Sequence, residues 1–252
     1  MAFPAGVVNI PTGQEKVTTT TQRRRLGTRG ISEDGERIFR YGRLGGTAIE
    51  GGKLVQSAAT IGASSNVAGL ATVTASSGAT TVSLIPQHAS TSQSYIDGYL
   101  TVGTTPAVAV YRIASQPTAF TSGAVATIQL HPHDELRQAW TSGTTTVGLR
   151  QNLYLNLVVA PATTLTGAIV GCTAIAMAAN TYGWFQTWGA AMLNVDAAVV
   201  AGNPIIYQGA SAGNGTPQTS ALNDIAFPTV AWALTTGAGA DTNTMVFLRI
   251  SP

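Results

Sequence analysis

Apolar and polar residues alternate with a period of two in several short segments, a pattern that predicts half-buried β-strands. The clearest cases are LYLNLVV at residues 153–159 and VFLRI at residues 246–250. Ser-Gly turns lead into Thr- and Val-rich segments at residues 77–84, 122–130 and 142–149, which indicates repeated hairpin chemistry rather than a solenoid. The best candidate helix is short, at residues 131–140. We therefore expect an all-β protein with a β-sandwich or β-barrel body.

Residues 1–30 have a different character from the rest of the chain. They contain Pro4, Pro11, a run of threonines and the triplet Arg23, Arg24 and Arg25, with little apolar periodicity. Such a segment buries too little apolar surface to fold alone, so it predicts an extended N-terminal arm that is mobile in the free protein. The β-rich body then comprises residues 31–252, with room for two β subdomains that would meet near residue 160.

Composition favours a protein that packs against other subunits. Charged residues make up 10% of the 252 residues, against roughly 25% in ordinary soluble domains, while threonine (36), alanine (38) and glycine (28) are abundant. A surface of hydroxyls and amides repels its neighbours weakly. We read this as evidence for assembly with other subunits.

The basic residues are concentrated near the amino terminus. Residues 1–53 hold nine of the thirteen Lys and Arg residues and five of the eleven acids. Beyond residue 53 no basic residues interleave with aromatics along a face, so nucleic acid is not an expected partner. Arg23, Arg24, Arg25 and Arg29 are candidate contact residues, because arginine pairs bidentately with carboxylates on a neighbouring protein. A solvated tail that touches nothing is the alternative reading.

The sequence offers no recognisable catalytic or metal centre. Asp34 and Asp97 each precede glycine, as expected of turn corners, and no paired acids, nucleophile elbow or phosphate-binding loop is evident. His131 and His133 flank a proline, but a closed zinc site needs about four ligands. A solvated turn or helix cap explains them equally well. We expect no enzymatic activity, no cofactor and no metal.

The single cysteine, Cys172, allows neither an intrachain disulfide nor a cysteine-based zinc site. It lies in an apolar stretch, residues 168–178, where burial as a small hydrophobe is the expected role. That stretch is too short to span a bilayer, which needs about 20 apolar residues, and we expect no membrane partner. The amino terminus shows no secretory pattern, so we expect the protein to be made and kept in a cytoplasm until it assembles.

Large aromatic residues gather in one segment, TYGWFQTWGA, at residues 181–190. Period-two alternation would place Tyr182, Trp184 and Trp188 on one face of a strand, with Phe185 on the other. Large aromatics most often supply core or interface area, which predicts a structural aromatic cluster. Stacking on a sugar is the alternative.

Several segments in succession resemble bacteriophage head-decoration (cement) proteins. They lie at residues 34–54, 95–102, 130–140, 180–191 and 199–206, followed by the closing MVFLRI. The resemblance implies a structural protein of the virion with a β-sandwich or β-barrel body, which binds the major capsid protein on the outer capsid surface and assembles with three-fold symmetry. The Arg23–Arg25 triplet departs from the family pattern. The alternatives are a tail tube or receptor-binding virion protein and a carbohydrate-binding or hydrolytic module.

Overall fold

The computed structural model describes residues 6–58, 71–104, 107–142, 145, 147–162, 164–207, 210–218, 227–237, 239 and 241–251. The protein is all-β, as the alternation predicts: in the described residues the only helical element is a short 3-10 helix, Gln14–Lys16. None of the helices in these ranges has the length and apolar character to cross a membrane. The chain forms two compact units, the first from residues 1–59 and 153–252 and the second from residues 60–152.

Seventeen strands are found in the described parts of the chain. They are β1 (Val7–Ile10), β2 (Arg29–Ser32), β3 (Ile38–Arg43), β4 (Leu54–Gln56), β5 (Ala71–Thr72), β6 (Thr81–Ile85), β7 (Tyr99–Thr104), β8 (Ala107–Ser115), β9 (Ala126–Leu130), β10 (Val147–Arg150), β11 (Val158–Val159), β12 (Ile169–Thr173), β13 (Tyr182–Val195), β14 (Pro204–Ile206), β15 (Thr216–Pro217), β16 (Thr229–Ala233) and β17 (Thr242–Arg249).

The first unit is built around one sheet. Its strands run in the order β1-β2-β3-β13-β17-β16-β14-β15, while β12 pairs with both β13 and β4, and β11 pairs with β4. The β1–β2 pair is parallel and the other strand pairs are antiparallel. Buried side chains form separate clusters around Leu193 and Leu248, around Phe185 and Leu157, and around Trp184.

The long strand β13 changes partner along its length. Its first part pairs with β3 and its second with β17, and the register with β3 shifts between Gln186 and Trp188. Gly189 follows directly with φ +91°, and a Cβ there would lie 2.3 Å from the carbonyl oxygen of Glu36. A side chain at position 189 is thus excluded by both conformation and space. The register shift and the left-handed glycine allow β13 to pair with β3 in its first part and with β17 in its second part.

The second unit has its own antiparallel sheet, ordered β10-β7-β8-β9-β6-β5, and its own core. Trp140, Tyr95, Leu100 and Ile113 are among its fully buried side chains. Residues 131–140 are turns and bends in place of the expected helix. In this turn the Asp134 carboxylate accepts a hydrogen bond from the backbone N–H of Arg112, which holds the segment against β8.

The alternation at residues 246–250 is confirmed, because Val246 and Leu248 are buried in β17 while Arg249 is exposed. The prediction for residues 153–159 is wrong for its first half. Residues 153–156 form turns and bends, and only the last residues pair in β11. Asn156 has φ +57°, which interrupts the extended backbone, and Leu153 is 52% exposed. A regular spacing of leucines therefore does not identify a strand when a left-handed residue stands within it.

The Ser-Gly turns belong to a recurring element that differs from a hairpin loop: an isolated antiparallel β-bridge followed by a left-handed turn. Among the described residues, five isolated antiparallel bridges are each closed by two reciprocal backbone hydrogen bonds of 2.7–3.3 Å: Thr19–Tyr182, Ile49–Met177, Ala75–Trp140, Ser90–Phe120 and Val199–Gly237. A residue with positive φ follows three positions after a bridge residue at Gly52, Gly78, Gln93, Gly123, Asn180 and Gly202. The Ser-Gly pairs at 77–78 and 122–123 supply this left-handed turn. The turn of 142–149 lies partly outside the described residues.

Residues 6–30 consist of β1, the 3-10 helix, turns, bends and the start of β2, and they belong to the first unit. β1 pairs in parallel with β2, the side chains of Ile10 and Leu26 are 3% and 0% exposed, and Thr19 forms an isolated bridge to Tyr182. These contacts correct the expectation that the segment buries too little apolar surface to order. Residues 1–5 of the expected arm lie outside the described residues. The units also divide at 59/60 and 152/153, whereas the sequence analysis placed one boundary near residue 160.

Candidate functional site

The segment that carries the arginine triplet, residues 23–28, is attached to β3 and is called the strap here. The backbone N–H of Arg23 donates to the Tyr41 hydroxyl at 3.0 Å, and that of Gly27 donates to the Tyr41 carbonyl at 2.8 Å. Between them the fully buried Leu26 anchors the strap. The arginines of the strap therefore stand on a backbone segment that is held to β3.

One face of β3 and β13 carries a layer of aromatic rings capped by arginines. Tyr41 stacks on Tyr182 at 6.2 Å between centroids and meets Trp184 edge-on at 5.2 Å. The guanidinium carbon of Arg24 lies 5.9 Å from the Trp184 ring centroid, and that of Arg43 lies 5.8 Å from the Tyr182 centroid. Cation–π attraction holds each guanidinium over its ring.

Arg43 is further positioned by two asparagines. Its Nη1 and Nη2 donate to the side-chain oxygens of Asn156, at 2.5 Å, and Asn180, at 3.0 Å. Both asparagines have positive φ, of 57° and 60°, a conformation that asparagine tolerates well. The sequence analysis did not identify Arg43, which the fold brings to the same layer as Arg24.

Arg29 and Arg40 lie on the opposite face of the hairpin. They are direct partners in the β2–β3 register, whereas Tyr41 and Arg43 alternate to the other side of β3. The structure therefore separates Arg29 from Arg24, although both were expected to contact one partner together. It adds Arg40, which the sequence analysis missed. Arg23 is exposed and Arg25 is half-buried within the strap.

The acids of this region are at the other end of the hairpin. Glu33, Asp34 and Glu36 lie in the β2–β3 turn, where Asp34 accepts hydrogen bonds from the Ser32 hydroxyl and the Glu36 backbone N–H. The hydrogen bond from Ser32 is the largest of the interactions that lower the pKa of the Asp34 carboxyl. Among the arginines of the described residues near this site, only Arg37 forms an ion pair that the geometry defines, with Glu15 at 3.6 Å. Arg24, Arg29, Arg40 and Arg43 form none.

The remaining residues of the aromatic cluster have separate surroundings. Phe185 is fully buried in the cluster around Leu157, and Trp184 is 7% exposed. Trp188 is half-buried and meets Phe247 edge-on at 5.3 Å. A sugar-stacking platform requires an exposed ring face, which Trp184 does not offer because Arg24 and Tyr41 cover it.

The other reactive side chains that the sequence singled out are spread over both units. In the described residues no group of three or more His, Cys, Asp or Glu side chains could hold a metal ion, and the rings of His131 and His133 lie 5.9 Å apart. Burial raises the pKa of the Cys172 thiol to about 12, so this sulfur is held as the unreactive thiol.

Comparisons of this chain with protein-family models, with curated proteins and with solved structures give no match. The candidate site is therefore defined by its own geometry: an ordered strap and two adjoining strands that present arginines on both faces of one hairpin.

Proposed function

We propose that this protein is a structural component of a bacteriophage virion, a decoration or cement protein that binds the major capsid protein on the outer capsid surface. The proposal makes it a binding protein without catalytic activity, located on the virion after assembly in the host cytoplasm. It combines the resemblance of its segments to head-decoration proteins with the arginine surface of the first unit.

The observation that carries the proposal is the set of arginines without ion pairs around the strap. Arg24 and Arg43 lie on one face of the β2–β3 hairpin, and Arg29 and Arg40 lie on the other. In a chain with only 10% charged residues, two such cations form a positive patch on each face of the hairpin. A patch of this kind fits a protein surface rich in carboxylates, to which guanidinium groups bind bidentately.

Decoration requires only binding. A protein that binds the assembled shell and not its free subunits stabilises the shell by mass action. Many copies on a symmetric lattice bind through many weak contacts, so each contact needs only modest affinity.

An exposed apolar face on the same unit supports self-association. On one side of β13, β17 and β16, Met192 faces Met245, and Trp232 and Leu234 continue the row; their exposed fractions range from 39% to 51%. The face adjoins an open pocket of about 230 Å³ lined by Lys16, Cys172 and both methionines. Contiguous apolar surface of this kind is typical of subunit contacts. We propose that a second copy of the chain covers it in a closed oligomer, as in the expected homotrimer.

Electron microscopy of purified particles, made with and without the protein, tests the capsid role. We expect density for the protein at regular sites on the outer surface, and lower resistance of the shell to heat or dilution when it is missing. Density confined to the tail, or none on the particle, would refute the proposal.

The arginine surface is tested by binding to particles stripped of the protein. We expect Arg24→Gln and Arg43→Gln each to weaken binding by about 1.5–3 kcal/mol, the contribution of a hydrogen bond to a charged group, and salt to weaken it further. Arg150→Gln, which removes an exposed arginine of the second unit, is the matched control. Equal binding by all three variants would reject this surface.

A further inference from the structure

Arg29 and Arg40 are held closer together than their separation along the chain suggests. They are direct partners across the antiparallel β2–β3 pair. The backbone hydrogen bonds from Ser32 to Arg37 and from Tyr41 to Thr28 mark the hydrogen-bonded positions of the ladder. By alternation, Arg29 and Arg40 form a non-hydrogen-bonded pair, in which the Cα atoms are about 4.5 Å apart and side chains approach most closely.

This arrangement is unfavourable in the isolated protein. Like charges directly opposite each other destabilise an antiparallel pair. The Nε atoms of both arginines are also buried without a hydrogen-bond acceptor. Arg40 reaches one acceptor, the Gly27 carbonyl, through Nη1 at 3.4 Å, which is a long contact. Arg29 and Arg40 are each only half-buried, so an anionic acceptor from outside can reach their terminal nitrogens and offset the repulsion between the two cations.

We propose that Arg29 and Arg40 together bind one carboxylate group, supplied by an aspartate or glutamate side chain of a partner protein. One carboxylate has two oxygens and about four lone-pair sites, so it can accept from both guanidinium groups at once. Its negative charge offsets the repulsion between the two guanidinium groups, and its hydrogen bonds to their terminal nitrogens are charge-assisted.

The charges around the site favour a carboxylate over the phosphates of a nucleic acid. Glu33, Asp34 and Glu36 lie at the turn of the same hairpin and would repel an extended polyanion that follows the strands. A single carboxylate at the open end of the hairpin avoids them. The carboxylate site does not depend on the proposed function; only the identification of its partner as the capsid protein rests on it.

Binding to a decapeptide of glycine and serine with one central glutamate, compared with a ten-nucleotide oligothymidylate, tests the proposal on the full-length protein without any capsid. We expect this single-glutamate peptide to bind more tightly than the oligonucleotide, because the acids of the β2–β3 turn repel a polyanion more strongly than one carboxylate. Arg29→Gln and Arg40→Gln should each weaken its binding about tenfold or more, with Arg150→Gln as the matched control. Unchanged binding in both variants, or tighter binding of the oligonucleotide that these variants abolish, would overturn the proposal.

The double variant Arg29→Gln/Arg40→Gln separates a shared site from two independent ones. If both arginines bind one carboxylate, the double variant should lose clearly less than the product of the two single losses, because the first substitution already disrupts the shared contact. Losses that multiply would show independent contacts and would contradict the proposal.

Melting temperatures without ligand exclude a purely structural role. Removal of one of two repelling charges should leave the melting temperature of each single variant unchanged or raised. A decrease of several degrees in both variants would assign the pair to folding alone. If Arg29→Lys then restored the melting temperature but not the binding of glutamate, this result would still support the proposal. The same variants tested on stripped particles show whether the capsid supplies the carboxylate, independently of the result with the peptide.

Discussion

Substitution of Ile10 by alanine measures how firmly the N-terminal segment is packed. Ile10 is 3% exposed and lies in the cluster of Phe39, Tyr41 and Trp184. Gly30 lies between Ile10 and the Trp184 ring, and a Cβ on it would be 2.3 Å from Cδ1 of Ile10 and 2.8 Å from Cζ3 of Trp184. The atoms around position 10 are therefore closely packed, and they can move little to fill the cavity that the smaller alanine side chain would leave.

Buried isoleucine-to-alanine substitutions cost about 2–5 kcal/mol, and the close packing at this site predicts about 3 kcal/mol. For a chain of this size that corresponds to a decrease in melting temperature of roughly 6–12 °C. Val7 is the matched control on the same strand, because it is 54% exposed and Val7→Ala should change the stability by about 0.5 kcal/mol or less.

The assay is urea unfolding followed by tryptophan fluorescence, with calorimetry to separate the transitions of the two units. Trp184 reports directly on the cluster that contains Ile10. If Ile10→Ala and Val7→Ala unfold at the same urea concentration, β1 is not packed against Trp184 in solution. The segment would then be the mobile arm that its composition predicts.

The remaining predictions concern single side chains. Trp184→Ala should cost about 3–5 kcal/mol in urea unfolding, and Trp188→Ala less, because Trp188 is only half-buried; equal losses would contradict the burial pattern. Cys172 should not react with a thiol reagent at pH 8 until the protein unfolds, since burial raises its pKa to about 12, and rapid labelling of folded protein would show that it is accessible. Burial lowers the pKa of His88 below its ordinary value of 6.5, so folding favours the neutral ring that is hydrogen-bonded to Tyr95. The stabilisation is present above pH 6.5 and is lost as the pH falls through the lowered pKa, and thermal melting of His88→Gln should show a weaker decrease between pH 7 and pH 5 than the unmodified protein.

The fold class follows from the sequence because alternation is a local signal. In β17 the face on which a side chain lies depends only on its position along the strand. Val246 and Leu248 both lie on the buried face, as the period of two predicts. The signal fails at residues 153–156, where the φ of +57° at Asn156 replaces a strand by a turn. Periodicity of side chains carries no direct information on backbone conformation at a single asparagine.

The candidate site was predictable in part. The sequence identified Arg29 by its place in a basic segment, but its partner Arg40 depends on the register of the β2–β3 pair. The turn at Asp34 and Gly35 was recognised, and counting outward from it would have placed the two arginines opposite each other. The position of Arg24 over Trp184 could not have been found in this way, because it joins residues 160 positions apart through a strap without regular secondary structure.

The order of the units explains why the chain passes between them twice, and it places the candidate arginine site in the first unit alone. The second unit is inserted between β4 and β11, and these two strands pair with each other, Val158 opposite Gln56 and Val159 opposite Val55. The chain thus leaves and re-enters the first unit at adjacent positions, which is the arrangement in which an inserted domain disturbs its host least. No composition shift marks such an exit, since β4 and β11 are ordinary strands of one sheet. Every arginine of the candidate site comes from the strap, β2 or β3, so the first unit alone sets the distance between Arg29 and Arg40.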